Sequence, residues 1–285
     1  MLAVVGTTPD EDLPVVYGEV CLKDDHIYIQ GKSVEVTRGT PALLAAACKT
    51  CEVLNQEPPF GFLAGDIGLG KGSRELYQYL TNHLMQFDFK TITFHYLQPD
   101  VDWHDRVLFT IKEMAEQPIL IADAGFMYAA KMSGQALEYE LFTPDAGELA
   151  FLADEKSPHP FYTRGFILHD DNQIPELIER SYEHNNAAKC LLVKGQPDYV
   201  ANDQKIVTTI NQPVVETMEA MGGTGDTVTG IVSALIGAGI EVEKAASIAC
   251  RVNRLAGYSA NPTPASQVTD IIEQIPSTLS SILNS

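Results

Sequence analysis

The chain has 285 residues, of which 45% are hydrophobic and 20% charged, a composition typical of a globular protein with a substantial core. Its net charge of −19 argues against a nucleic-acid binder, which needs clustered basic residues, and against docking on an anionic membrane. The N-terminus lacks the basic start and apolar core of a signal peptide, and no apolar run approaches the roughly 20 residues that span a bilayer. We therefore expect a cytoplasmic protein without membrane or nucleic-acid partners.

Short apolar segments alternate with helical ones along the chain. The predicted strands are Val15–Leu22, Ile27–Ile29, Gly61–Gly65, Thr91–Leu97, Ile119–Ala122, Glu138–Phe142, Cys190–Val193, Tyr199–Ala201 and Ile206–Thr208. The predicted helices are Pro41–Leu54, Arg74–Met85, Asp105–Ala115, Phe126–Met132, Gly147–Ala153, Pro175–His184, Asp226–Ile236, Val242–Leu255 and Val268–Leu283.

This alternation indicates crossover connections and a mostly parallel central sheet between two helical layers, a three-layer α/β/α fold. We expect residues 1–285 to form a single domain, with residues 1–38 as an N-terminal β-hairpin extension. In such sheets, ligands bind beyond the carboxyl ends of the strands.

A glycine-rich turn precedes the helices of the C-terminal part. The sequence Met221-Gly222-Gly223-Thr224-Gly225-Asp226-Thr227 lets several backbone N–H groups point into one space at a helix start. Gly223, Thr224 and Gly225 are therefore candidates for an anion hole, and Asp226 at its edge is a candidate base for a substrate hydroxyl. The alternative is a tight turn in which Asp226 only caps the helix.

Further segments extend this motif in both directions. They are Ile121-Ala122-Asp123-Ala124, Thr143-Pro144-Asp145-Ala146-Gly147-Glu148, Val193-Lys194-Gly195, GGTGDTVTGIVSALIGAG and AASIACRVNRLAG. In this order they resemble motifs of the ribokinase-like superfamily, in particular its ADP/ATP-dependent NAD(P)H-hydrate dehydratase branch, which is similar to carbohydrate kinases. The resemblance covers about residues 118–276, whereas the first ~115 residues match poorly.

The resemblance implies that the chain binds ATP or ADP with Mg²⁺ and acts on hydrated NADH or NADPH. The hydroxyl of the hydrate would be phosphorylated with Asp226 as base, and phosphate would then be eliminated. The implied nucleotide-binding residues are Lys194, Gly195, Gly222 and Asn253. The implied substrate-binding residues are Gly39, Asp66, Gly68 and Asp123, and the implied Mg²⁺ ligands are Asp145 and Glu148.

Each of these roles has a structural alternative. A lone lysine at a strand end is more commonly a surface residue, but the place of Lys194 in the motif order favours the nucleotide role. Asp123 is also typical of a helix N-cap, and the pair Asp145 and Glu148 of a capping box. A second glycine-rich segment, Gly65–Ser73, nearly spells a P-loop, but Gly72 occupies the position of the required Ser or Thr. In the resemblance this segment lines the substrate pocket.

Some residues depart from the pattern of the branch. Asp145 and Asn253 stand where its members commonly have His, and Arg254 stands where Gly is common. A small-molecule kinase for a sugar or vitamin precursor and a non-catalytic nucleotide-binding protein therefore stay as alternatives. The odd number and wide scatter of the five cysteines do not suggest disulfides, and Cys48 and Cys51 are expected to be buried or half-buried thiols, not metal ligands. The seven histidines show no metal-ligand spacing. A monomer and a homo-oligomer are both compatible with the sequence.

Overall fold

The structure, a computed structural model, describes residues 1–155, 173–203, 205–263 and 265–284. The strands are β1 (Leu2–Thr8), β2 (Val16–Glu19), β3 (Cys21–Lys23), β4 (His26–Ile29), β5 (Lys32–Glu35), β6 (Phe60–Gly65), β7 (Thr91–Phe94), β8 (Ile119–Ala122), β9 (Leu141–Phe142), β10 (Cys190–Val193), β11 (Asp198–Asn202) and β12 (Lys205–Ile210). The α-helices are α1 (Thr40–Val53), α2 (Lys71–His83), α3 (Val101–Lys112), α4 (Ala124–Met132), α5 (Ala146–Ala153), α6 (Ile174–Glu183), α7 (Thr224–Gly237), α8 (Val242–Ala260), α9 (Val268–Ile272) and α10 (Ile275–Leu283).

Within the described residues, nine strands form a sheet in the order β12-β11-β10-β9-β8-β7-β1-β6-β2. The six strands from β10 to β6 in this order run parallel to one another. Antiparallel strands complete both edges, β2 on one side and the β11–β12 hairpin on the other. Helices α1 and α7–α10 pack on one face and α2–α6 on the other. The predicted three-layer α/β fold with a mostly parallel sheet is confirmed.

The first strand corrects the expectation for the N-terminus. The sequence predicts a hairpin extension over residues 1–38, but Leu2–Thr8 pairs with both β6 and β7 near the middle of the large sheet. Ala3, Val4 and Val5 are fully buried, which agrees with the continuous apolar run of a strand covered on both faces. The small antiparallel sheet β3-β4-β5 does lie apart from the large sheet, and its Ile27 and Ile29 pack in the core cluster that contains α1.

Other element boundaries also differ from the predictions, and Val15–Leu22 is divided into β2 and β3. The segment Glu138–Phe142 contributes only Leu141–Phe142 to the sheet, after a 3-10 helix at Ala136–Glu138. The predicted helix Val268–Leu283 is divided into α9 and α10. Pro276 lies near the start of α10 and has no N–H to bond the carbonyl of Ile272, so the helix cannot continue through it.

The parallel strands bring several polar residues to one edge of the sheet. Asp66, His95, Asp123 and Lys194 each directly follow a strand end, and the N-terminus of α7 lies beside the same edge. The site described below forms there, as expected for a sheet of this topology. Within the described ranges, no helix has both the length and the apolar character to cross a lipid bilayer.

Candidate active site

The glycine-rich turn directs backbone N–H groups into one space at the start of α7. Gly223 precedes the helix with a φ of 97°, in the left-handed region that glycine adopts without strain. Thr224 and Gly225 form the first turn, where N–H groups have no acceptor within the helix. A Cβ on Gly225 would lie 3.5 Å from Cδ of Lys194, so the lysine side chain runs along the turn. The structure therefore brings the predicted anion hole and the predicted nucleotide lysine together.

Asp226 lies in the same turn, with 12% of its side chain exposed. Its Oδ2 accepts a hydrogen bond from the backbone N–H of Gly39 at 2.6 Å, and its Oδ1 lies 3.1 Å from Nε2 of His95. The carboxylate thus contacts other segments and does not cap α7, whose N-cap is Gly223. Burial alone would raise the pKa of Asp226, but His95, Lys194 and the Gly39 N–H together lower it. The carboxylate is therefore ionised at neutral pH, as a base must be.

Lys194 and Asp123 form a buried ion pair across the floor of the site. The Nζ of Lys194 lies 3.0 and 2.9 Å from the two carboxylate oxygens of Asp123. Asp123 also accepts hydrogen bonds from Thr229 Oγ1 at 2.6 Å and from the backbone N–H of Ala124 at 2.8 Å. Burial lowers the pKa of Lys194, but the charges of Asp123, Glu148 and Asp226 raise it well above its usual range. The predicted substrate residue Asp123 is thus a buried N-cap that holds Lys194 in place.

Asp145 and Glu148 form a capping box at the start of α5. Oδ1 of Asp145 accepts from the N–H of Glu148, and Oε2 of Glu148 accepts from the N–H of Asp145, both at 2.8 Å. Burial and the negative charge of Asp145 raise the pKa of Glu148 to about 8, although Lys194 opposes the rise.

Asp145 and Glu148 are also the predicted ligands of Mg²⁺. Among the described residues, no group of three or more Asp, Glu, His or Cys is arranged to hold a metal ion. Mg²⁺ is commonly held by one or two carboxylates and retained waters, and carboxylates whose mutual repulsion raises a pKa suit a cation. The pair Asp145 and Glu148 therefore fits Mg²⁺ as a site completed by water and phosphate.

Asn253 and Arg254, on α8, organise the loops around the predicted nucleotide site. Asn253 accepts from Thr227 Oγ1 at 2.6 Å and donates to the carbonyl of Thr224 at 3.1 Å, which fixes the glycine-rich turn. Arg254 pairs with Asp198 at 2.7 Å and donates to the carbonyl of Gly195 at 2.7 Å. Both side chains of the ion pair are almost fully buried. Arg254 therefore ties the loop after β10 to α8, a role that the sequence analysis did not assign to it.

In the second glycine-rich loop, Gly65–Ser73, the backbone N–H groups donate hydrogen bonds to a carboxylate of the same loop. Asp66 Oδ1 accepts from the N–H groups of Gly68 and Gly70 at 3.0 and 2.9 Å. Asp66 Oδ2 accepts from the N–H and hydroxyl of Ser73 at 2.9 and 2.8 Å. Burial would raise the pKa of Asp66, but these hydrogen bonds lower it. Amides that a P-loop would offer to phosphate are already bound to Asp66, so this loop is a poor phosphate site.

Two cavities meet at Asp226. The first has a volume of about 870 Å³ and contains the predicted substrate residues Gly39, Asp66 and Gly68 in its wall, together with Gly222. The second, of about 580 Å³, is lined by the other predicted residues, namely Asp123, Asp145, Glu148, Lys194, Gly195, Gly223, Thr224, Gly225, Asp226 and Asn253. Gly222, predicted at the nucleotide, and Asp123, predicted at the substrate, thus lie on the sides opposite to those expected. The residues Tyr96, Glu148, Gly223 and Asp226 line both cavities.

Sequence reasoning missed several residues of this site. His95 contacts the predicted base, and Arg38 lines the first cavity next to Gly222. Both residues precede the region of about residues 118–276 that carries the sequence motifs, and neither lies at a recognisable spacing from Asp226. His95 falls inside the predicted strand Thr91–Leu97, so its position at the end of a strand is visible only in the structure, where β7 ends at Phe94. Of the other histidines, His159 and His169 lie outside the described residues.

Comparison with known proteins places this architecture in a family. A model of the carbohydrate kinase type, described as NAD(P)H-hydrate dehydratase, matches residues 98–277. The chain belongs to this family. An uncharacterized protein of Methanocaldococcus jannaschii is 42% identical over 242 residues, which cover 85% of this chain and 100% of that protein. The bifunctional NAD(P)H-hydrate repair enzyme Nnr of Hyperthermus butylicus is 42% identical over 91 residues, which are 31% of this chain but only 16% of that enzyme.

Solved structures agree on the fold. A ribokinase-like superfamily protein from Enterococcus faecalis has a TM-score of 0.61 at 16% identity, covering 98% of this chain and 86% of that one. Phosphofructokinase-2 from Escherichia coli, in complex with fructose-6-phosphate, has a TM-score of 0.56 at 12% identity, covering 98% and 99%. Pyridoxal kinase from Staphylococcus aureus, in complex with AMP-PCP and pyridoxal, has a TM-score of 0.55 at 12% identity, covering 88% and 85%. The family member described here thus has the ribokinase-like fold.

Proposed function

We propose that this protein transfers a phosphoryl group from ATP or ADP to a substrate hydroxyl and then eliminates phosphate, as an NAD(P)H-hydrate dehydratase. The observation that carries the proposal is the position of Asp226, whose carboxylate lines both cavities beside the anion hole. A nucleotide in one cavity and a hydroxyl-bearing substrate in the other would meet at this carboxylate. Membership of the family supports elimination as the second stage.

The second cavity supports nucleotide binding through two kinds of wall. Val215, Met218 and Met221 provide an apolar surface that suits an adenine ring. In the same cavity, Lys194 and the first-turn amides of α7 offer positive charge and donors to phosphates. Asp145 and Glu148 would hold Mg²⁺ there through water, and the ion would neutralise part of the phosphate charge.

The first stage requires a base, an acceptor for charge and a leaving nucleotide. Asp226 would take the proton of the substrate hydroxyl while the substrate oxygen bonds to the terminal phosphorus. The bond from that phosphorus to its bridging oxygen breaks, and the shortened nucleotide leaves with the electron pair. The N–H groups of the turn at Gly223, Thr224 and Gly225 would stabilise the charge on the transferred group, since such donors are effective where charge develops.

The second stage releases phosphate and restores a double bond. The C–O bond of the phosphorylated substrate breaks, phosphate leaves with the electron pair, and the neighbouring carbon loses a proton. The net change in the substrate is the loss of water, driven by hydrolysis of one phosphoanhydride bond. A kinase of the same fold would stop after the first stage and keep the phosphorylated product.

The first cavity supports an anionic substrate of the size of a dinucleotide portion. Arg38 lines it and makes no ion pair with any described residue, so its guanidinium is available to a phosphate of the hydrated NADH or NADPH. A Cβ on Gly222 would lie 3.4 Å from Cδ of Arg38, which sets this cation next to the anion hole. Tyr96 and Tyr128 add aromatic surface to the same cavity.

The deciding experiment is product analysis. The protein is incubated with hydrated NADH or NADPH, Mg²⁺ and either ATP or ADP, and reduced nicotinamide and inorganic phosphate are measured. Release of both in equal amounts supports the dehydratase. Accumulation of a phosphorylated product from another hydroxyl compound would support the small-molecule kinase. Nucleotide binding without turnover of any substrate would overturn the proposal in favour of a non-catalytic nucleotide-binding protein.

A further inference from the structure

His95 is a buried histidine with a partner on each ring nitrogen. It directly follows β7, and its side chain is 1% exposed. Nε2 lies 3.1 Å from Oδ1 of Asp226 and 3.7 Å from Oδ2 of Asp123. Nδ1 lies 3.0 Å from Oγ1 of Thr40, the first residue of α1. The imidazole therefore joins the sheet to the starts of both α1 and α7.

The surroundings of the ring determine which nitrogen carries the proton. Ionised carboxylates only accept hydrogen bonds, so the nitrogen that faces Asp226 and Asp123 must be protonated. In a neutral imidazole Nδ1 is then an acceptor, and the Thr40 hydroxyl can donate to it. Thr40 can approach because residue 6 is glycine: a Cβ on Gly6 would lie 2.4 Å from Thr40 Oγ1. The two carboxylates thus select the tautomer in which Nε2–H points at Asp226, and the Thr40 hydroxyl holds the ring in that orientation by donating to Nδ1.

We propose that His95 is a positioning residue for the base Asp226, and that the Thr40 hydroxyl fixes its imidazole for this purpose. His95 lines neither cavity, so it would act through Asp226 and not by touching nucleotide or substrate. Its N–H and the backbone N–H of Gly39 each hold a different carboxylate oxygen of Asp226, which fixes the orientation of the base at the junction of the two cavities. The inference rests on the proposed role of Asp226 as base.

The charges around Asp226 predict what the loss of His95 would do. The titratable and charged groups that face it from neighbouring elements are His95, Tyr96, Asp123, Glu148, Lys194 and Arg38. Two of these side chains, His95 and Lys194, lower the pKa of Asp226 against the effect of burial. Lys194 is already paired with Asp123, whereas His95 donates a hydrogen bond to Asp226 itself. Without that hydrogen bond, burial is less opposed and the pKa of Asp226 rises. The base would then be protonated, and inactive, up to a higher pH.

The test compares variants that remove or retain the two hydrogen bonds. His95→Phe keeps a ring and removes the donor, whereas His95→Gln can place an N–H near the position of Nε2. Thr40→Val removes the hydroxyl, whereas Thr40→Ser retains it. Thr93→Val is the matched control, because Thr93 Oγ1 donates to Ser233 Oγ at 2.8 Å and joins the same strand to the same helix without contacting Asp226.

Two readouts are measured, the pH profile of kcat and the titration of the Asp226 carboxyl carbon by NMR, assigned with Asp226→Asn. In His95→Phe and Thr40→Val both midpoints should move up by about one pH unit or more, with the nucleotide KM nearly unchanged. His95→Gln, Thr40→Ser and Thr93→Val should keep the wild-type midpoints. If His95→Phe does not fold, the Thr40 pair decides.

The outcomes separate this inference from the proposed function. Unchanged midpoints in the folded Phe and Val variants, or an equal shift in Thr93→Val, would overturn the positioning role. If no substrate turns over but the NMR midpoint still shifts as expected, the proposed function fails while the coupling of His95 to Asp226 stands.

Discussion

At the scale of single residues, a substitution of Asp226 can test nucleotide binding and catalysis separately. Asparagine can still accept from the Gly39 N–H through its oxygen, and its amide can face His95 once the imidazole changes tautomer. Asp226→Asn should therefore fold and bind nucleotide within a few-fold of wild type. It cannot accept a proton at neutral pH, so we expect turnover to fall by at least ~100-fold.

Melting temperature, nucleotide affinity and turnover are to be measured on one preparation of this variant. Wild-type turnover in a folded Asp226→Asn protein would remove this residue from the mechanism.

Arg254 carries a second prediction at this scale. Removal of its guanidinium in Arg254→Met leaves Asp198 buried without its counter-ion, and burial already raises the pKa of Asp198. Breaking a buried ion pair from one side costs about 3–5 kcal/mol of unfolding free energy. Arg251→Met is the control, because Arg251 is exposed on the same helix and should change stability by less than ~0.5 kcal/mol. Equal effects of the two substitutions on the free energy of unfolding, measured with denaturant, would show that the ion pair between Arg254 and Asp198 does not stabilise the fold.

The residues that sequence reasoning found and missed differ in a physical way. Asp123 and Lys194 end apolar strands, and Asp226 follows a glycine turn, so local pattern and strand topology together were enough to group them. The contact between His95 and Asp226 joins residues 131 positions apart and depends on how α1, α7 and β7 pack. No local pattern encodes that distance, and a single sequence contains no information that pairs the two residues.

At the scale of elements, substitutions in the two glycine-rich segments should have opposite effects on nucleotide binding. The N–H groups of Thr224 and Gly225 make no hydrogen bond to the described residues, and a side chain at Gly225 would contact Lys194. The loop before α2 has its amides bound to Asp66. We therefore expect Gly225→Val to abolish nucleotide binding in calorimetry, whereas Lys71→Ala should leave the affinity within a few-fold.

Lys71 is exposed at the start of α2, which makes its substitution a fair test of the P-loop alternative. The reverse pattern, with Lys71→Ala losing affinity, would assign the phosphates to the loop of Asp66.

Element boundaries show what the sequence could supply and what it could not. The run Leu2–Thr8 has the continuous apolar character of a buried parallel strand, so the information was present although the strand was not predicted. The division of the last predicted helix was indicated by Pro276, which cannot continue a helix. By contrast, nothing local distinguishes β2, on the edge of the large sheet, from β3, which belongs to the small one. Which sheet each strand joins depends on the packing of the whole fold, which a short stretch of sequence does not encode.

At the scale of the whole molecule, charge sets the conditions for nucleotide binding. The chain carries a net charge of −19, which disfavours the approach of a polyanion. The site opposes this field locally with Lys194 and Arg38 and with the N-terminus of α7. The carboxylate of Asp145 stands in the same cavity wall as Lys194, so nucleotide without Mg²⁺ would meet its negative charge there. We therefore expect binding to depend on Mg²⁺.

The resulting prediction concerns stability of the whole fold. A ligand that binds only the folded state stabilises it by about 2.7 kcal/mol at a concentration of 100 times Kd. Unfolding entropy of about 2.1 cal/mol/K per residue amounts to about 0.6 kcal/mol/K for 285 residues, so such an increment raises Tm by roughly 4–5 °C. ATP or ADP with Mg²⁺ should produce a shift of this order in wild type and in Asp226→Asn, and none in Gly225→Val. Chelation of Mg²⁺ should reduce the shift, because the negative charge of Asp145 then faces the phosphates without a cation between them. Absence of any shift or calorimetric heat with either nucleotide at saturating concentration would contradict the nucleotide site, and with it the base role of Asp226.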